Sequence, residues 1–163
     1  MNFPPPEFAL RSYLLGPAVN GHAGQWHAGQ WTVQRDLLDR TNGTRGTFSG
    51  AVHFVPADDG GLALREEGTM RWPTFTGPAS REYLLKTTHR PDAMDVLFPD
   101  GRPFHTVSFR PEANLDQHWC APDTYRVTYS YEGPHTFSYS WDVQGPQKDL
   151  LLSSHLVRQE QET

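Results

Sequence analysis

Two stretches of strict alternation limit what this chain can become. Residues 124–131 read Thr-Tyr-Arg-Val-Thr-Tyr-Ser-Tyr, and residues 137–144 read Phe-Ser-Tyr-Ser-Trp-Asp-Val-Gln. Successive side chains on a strand point to opposite faces, so a period of two sorts them cleanly. Tyr125, Val127, Tyr129 and Tyr131 share one face, and Phe137, Tyr139, Trp141 and Val143 share the next. Their partners are hydroxyl-bearing or charged, so the rings face a core and the hydroxyls face water. A helix would scatter both sets around its axis.

The same period recurs along the chain and predicts nine strands, near 31–39, 46–55, 62–71, 81–88, 93–98, 103–110, 123–131, 137–144 and 149–158. Fourteen glycines and fourteen prolines punctuate them. Short strands at regular spacing suit an all-β antiparallel barrel of eight or nine strands, which can fill its interior or hold one small ligand. Residues 6–15 are the one helix candidate: Pro6 suits a first turn, Glu7 its positive end, and Gly16-Pro17 a stop.

With 163 residues the chain is about one domain of the usual ~150. It divides into a helix-and-loop extension over 1–28 and a single barrel over 29–160. The extension carries a short tandem copy, His22-Ala23-Gly24-Gln25-Trp26 then His27-Ala28-Gly29-Gln30-Trp31, which reads as a lengthened loop. A formal charge of −5 argues against nucleic acid and against an anionic membrane surface, since both need a basic patch. The single Cys120 excludes an intramolecular disulfide and suits a reducing compartment. No charged region precedes an apolar run at the start, and no apolar stretch approaches the ~20 residues of a membrane helix. The expectation is a cytoplasmic protein, with a homodimer left open.

Parity and turns then select candidate site residues. Asp100-Gly101 is a strong hairpin signal and sets Val96 opposite His105, Met94 opposite Val107 and Phe98 opposite Pro103. His105 therefore points inward. Parity also gathers Leu62, Leu64, Glu66, Gly68 and Met70, then Arg81, Tyr83, Leu85 and Thr87. A hairpin spanning residues 73–80 sets Glu66 near Leu85 or Thr87, about four residues from Arg81. At ~3.3 Å per residue that is too far for the two charges to pair.

Several of these residues fall in familiar patterns. Gly29-Gln30-Trp31 resembles the Gly-x-Trp signature of the lipocalins and the wider calycin superfamily, whose barrels often place an arginine of the last strand over that tryptophan. Arg158 is suitably positioned. Other segments resemble a bacterial and fungal domain-of-unknown-function family, numbered 6314: Phe48-Ser49-Gly50, Arg65-Glu66-Glu67-Gly68, Ser80-Arg81-Glu82-Tyr83, and Phe98 to His105. The likeness continues through His118-x-Cys120-x-x-Asp123-x-Tyr125 and Trp141 to Asp149, and ends at Arg158. The resemblance implies a calycin-like barrel and brings no activity with it.

Four kinds of chemistry are compatible with these residues. The leading one is binding of a small, largely apolar or aromatic molecule inside the barrel. Glu66, Arg81, Tyr83, His105, Tyr125, Tyr129, Tyr139 and Trp141 are its candidate contacts, because Tyr and Trp combine apolar area with a polar tip. The second is a cofactor-independent enzyme in which His105, or His118 held by Asp123, acts as general acid or base. The third is metal or haem binding. His118, Cys120 and Asp123 form only a weak zinc-like cluster, no metal ligand is assigned, and His155 shares parity with the outward side chains of the last strand. The fourth is a scaffold with a filled barrel. The identity of any cofactor is left unknown.

Overall fold

The computed structural model describes residues 9–16, 29–109, 116–120 and 123–159, with residues 116–120 described as backbone alone. One helix, α1 (Leu10–Leu15), precedes β1 (Gln30–Asp39), β2 (Thr44–Pro56), β3 (Leu62–Trp72), β4 (Phe75–Thr87) and β5 (Ala93–Leu97). There follow β6 (Pro103–Ser108), β7 (Asp116–Cys120), β8 (Asp123–Gly133), β9 (Thr136–Gln144) and β10 (Asp149–Arg158). All ten join one antiparallel sheet in the order β6-β5-β4-β3-β2-β1-β10-β9-β8-β7. Each strand pairs with its neighbour in sequence, except that β1 is spliced to β10 at the centre and β6 and β7 end the sheet. The sheet curls until those ends approach, giving a nearly closed barrel. Across the seam, His105 Nε2 on β6 lies 2.9 Å from Tyr129 Oη on β8.

All nine expected strands are present, and the alternation assigns their faces correctly. Val127, Phe137, Trp141 and Val143 are buried, as are Met94, Val96, Val107 and His105. Fully burying such an apolar side chain contributes about 1.5–3 kcal/mol, so these inward rows supply most of the driving force for closure. Close approach of β2 and β3 depends on two glycines paired in register, Gly50 and Gly68. A Cβ on Gly50 would lie 2.0 Å from the Glu67 carbonyl oxygen, and one on Gly68 would lie 2.2 Å from that of Ser49.

Three departures from the sequence expectations have physical causes. The strand β7 is not among the nine, because Asp-Gln-His-Trp-Cys lacks apolar alternation; pairing with β8 in register Asp116↔Val127 to Cys120↔Asp123 defines it. In the Asp100-Gly101 hairpin, Met94↔Val107 and Val96↔His105 pair as expected, but the register slips after Val96 and sets Leu97 opposite Pro103. Pro103 has no N–H to offer the ladder, and the turn closes instead through Phe98 N donating to Arg102 O at 2.9 Å. The third departure is the largest. The strand β4 begins at Phe75, so Pro73-Thr74 alone make the turn, and Glu66 sits directly opposite Arg81. The expected four-residue offset is wrong.

The helix α1 plugs one end of the barrel with Leu10, Tyr13 and Leu14, all buried. Trp31 Nε1 donates to the Leu14 carbonyl at 2.9 Å, and Tyr13 Oη donates to that of Gly133 at 2.6 Å. Arg158 lies over Trp31, its Cζ 4.2 Å from the ring centroid, as the Gly-x-Trp resemblance anticipates. Its Nη2 donates to the carbonyls of Tyr13 at 2.6 Å and Pro134 at 2.9 Å. Gly16 makes room for this clamp: its φ is +82°, and a Cβ there would stand 2.4 Å from Arg158 Nη1. Among the described residues, no helix is long and apolar enough to cross a membrane.

Candidate functional site

The inward faces of β1, β3, β4, β9 and β10 converge on a buried ion network. Arg35, on the alternating row Trp31, Val33, Arg35 and Leu37, grips Glu66 with both ends of its guanidinium. Nη1 donates to Oε1 at 2.6 Å and Nη2 to Oε2 at 2.7 Å. Its Nε donates to Ser154 Oγ at 2.6 Å, and Nη2 also donates to Tyr139 Oη at 2.8 Å. Such a two-pronged carboxylate contact is among the stronger and more directional available to a protein. From β4, Arg81 brings its Nε to 2.9 Å from the same Glu66 Oε1. That N–H is not aimed at the oxygen, so the contact is an ion pair without a hydrogen bond. Arg81 Nη2 donates to Tyr139 Oη at 3.2 Å.

Burial works to raise the Glu66 pKa, but the hydrogen bonds from Arg35 and the charges of Arg81 and Arg35 outweigh it and hold the carboxyl below its ordinary range. Burial likewise works to lower both guanidinium pKa values, and Tyr139 and Glu66 outweigh it. Glu66 and both guanidinium groups are therefore ionised.

Beside it lies a partly enclosed cavity of about 50 Å³. Glu66, Arg81, Tyr83, His105, Tyr129, Tyr139 and Trp141 line it, so seven of the eight candidate contacts share one hollow. The eighth, Tyr125, stands outside the lining and packs edge-on against Phe104, ring centroids 5.7 Å apart. Leu14, Val52, Phe137 and Leu156 supply apolar wall towards the plugged end. Arg81 lies over the Trp141 ring at 4.5 Å. Trp141 Nε1 and Tyr131 Oη, both of lining residues, are buried with no hydrogen-bond partner among the described residues. Burial pushes the Tyr131 hydroxyl pKa well up and raises that of Tyr83, which keeps both as neutral phenols.

The remaining candidates separate from this cavity. Asp123 is not among the lining residues; it sits at the start of β8, 3.5 Å from Lys148 Nζ. His118 and Cys120 belong to β7, and their side chains lie outside the described residues, as do residues 22–28 of the duplicated segment. Among the described residues, no three His, Cys, Asp or Glu side chains cluster as a metal site. His155 faces outward as parity predicts, its Nδ1 2.9 Å from Ser138 Oγ. It borders a broad, open, hydroxyl-lined depression on the outer sheet face. Arg35 and Ser154 are interior polar residues that the sequence does not single out, although the alternation of β1 beginning at Trp31 already marks Arg35; Tyr131, read as inward, joins the lining without having been a candidate contact.

No curated protein matches the chain. Among solved structures, an S-type phycobiliprotein lyase from Guillardia theta aligns with 82% of this chain and 88% of its own, at TM-score 0.53 and 10% identity. That likeness shows a shared fold. Two designed barrels also align, a fluorescence-activating one at TM-score 0.45 and 12% identity over 92% of this chain and 99% of its own, and a redesigned one at 0.44 and 18% over 94% and 98%. A family model matches residues 27–158, spanning every strand, the Gly-x-Trp start and Arg158; the chain belongs to the family of unknown function DUF6314.

Proposed function

We propose that this barrel binds a small, largely apolar or aromatic molecule in its interior. The carrying observation is the partly enclosed cavity, walled by rings and aliphatic side chains, at which Trp141 Nε1 and Tyr131 Oη are buried without a hydrogen-bond partner among the described residues. Leaving such a group unsatisfied costs about 1–3 kcal/mol, and a bound acceptor removes that cost. Size narrows the occupant. About 50 Å³ is several times the ~10–15 Å³ that one water needs, and well under the ~300 Å³ of a drug-sized pocket. The ligand is therefore compact.

Native mass spectrometry of freshly purified protein tests this reading, together with a titration of small aromatic and aliphatic compounds followed by amide chemical shifts. The expected result is a mass increment released on denaturation, or saturable shifts confined to cavity residues. A protein that carries nothing and responds to none of the compounds overturns it.

A second reading rests on the contact of His105 Nε2 with Tyr129 Oη at 2.9 Å beside the cavity, an arrangement able to relay a proton to a bound molecule. Once a ligand is known, turnover that disappears in His105→Ala while binding persists would favour it.

A further inference from the structure

We infer that the molecule held in the cavity carries an anionic head, a carboxylate, seated against Arg81 and Trp141; this rests on the cavity being a binding site. Two guanidinium groups, Arg35 and Arg81, face one carboxylate, Glu66, which leaves one surplus positive charge in this network among the described residues. Charge held away from water without a counterion is costly, so the surplus calls for an anion.

The surplus falls on Arg81. Arg35 is 4% exposed and already occupied by Glu66, Ser154 and Tyr139. Arg81 lines the cavity, its side chain retains 24% exposure, and its buried Nε–H lacks an aligned acceptor. Trp141 stacks beneath the same guanidinium, and its own Nε1–H is buried without an acceptor. An unsatisfied indole donor and a surplus charge thus meet at one wall. They suit the paired oxygens of a carboxylate, which a guanidinium recognises in its own plane. A single surplus charge matches a monoanion, and a doubly charged phosphate would leave negative charge uncompensated. Leu14, Val52, Phe137 and Leu156, in the same lining, take the apolar body.

The test compares each acid with its neutral amide of nearly the same shape. The full chain is titrated with benzoate against benzamide, and isobutyrate against isobutyramide, with the Trp141 indole N–H resonance as local reporter. The expected result is at least tenfold tighter binding of each acid, with the indole signal moving. Arg81→Met should then lose at least tenfold in acid affinity and far less in amide affinity, while Arg81→Lys keeps most of the preference. The wild-type comparison needs no variant, so a misfolded Arg81→Met does not blunt it. Amides that bind as tightly as acids overturn the anionic head and leave the cavity reading standing. Failure of all four compounds to bind overturns both.

Discussion

Arg158 lies 4.2 Å over Trp31 at the plugged end of the barrel, and Arg81 lies 4.5 Å over Trp141 in its interior. The stacking is alike, yet the surroundings differ. Arg158 donates to the carbonyls of Tyr13 and Pro134, and burial lowers its pKa. It ties α1 and the β8–β9 turn to the last strand. Arg81 shares Glu66 with Arg35, lines a cavity, and has its pKa raised by Tyr139 and Glu66 against the pull of burial. A guanidinium over an indole is therefore no indicator of role by itself. What separates a clamp from a site is the second partner and whether the cation faces enclosed space.

The largest test of this contrast removes the charge that Arg81 has beside it and Arg158 lacks. Glu66→Gln leaves two interior arginines without a carboxylate, and breaking a buried pair in this way costs about 3–5 kcal/mol. Urea denaturation should show that loss; one below about 1 kcal/mol would mean that water already screens the interior arginines. Next in size, Arg158→Ala removes two charge-assisted hydrogen bonds and a ring contact, for about 2 kcal/mol of stability. Its benzoate affinity should match that of the wild type. A matching loss of affinity would erase the distinction between clamp and site.

The smallest effect sharpens the contrast through pH. The folded-state pKa of Glu66 lies below its ordinary 4.5, so its ionised form contributes stability that is fully present above that value. The contribution declines as pH falls from there through the folded pKa. Thermal unfolding followed from pH 7 downward should show an acid limb that is flatter in Glu66→Gln than in the wild type. Arg158→Ala, whose clamp involves no carboxylate, should keep the wild-type slope.

Much of the site is legible in the amino-acid sequence, and the part that is not has a specific origin. Parity marks Glu66, Arg81, His105, Tyr129 and Trp141 as inward, and all five line the cavity. It does not disclose that Glu66 faces Arg81, because that pairing depends on where one turn falls. A two-residue turn at Pro73-Thr74 and an eight-residue loop preserve the same parity while shifting the register by several positions. Arg35 carries the same alternation signal, but an arginine in a strand is ordinarily a solvated residue, and the signal is easily discounted. Nothing local to β7 announces a strand, because its pairing comes from its neighbour.

The facing of each side chain is settled by local stereochemistry: consecutive residues on an extended backbone must point opposite ways, whatever the rest of the chain does. The alternation in the sequence therefore determined an all-β chain and its inward residues. Which inward residues meet depends on turn lengths, register slips and the angle at which the sheet rolls up. Glu66 reaches Arg35, two strands away, and both arginines reach Tyr139 on the far side of the β1–β10 splice. Only the closed sheet brings those four side chains together, because curvature sums over every strand between them and no single segment encodes it.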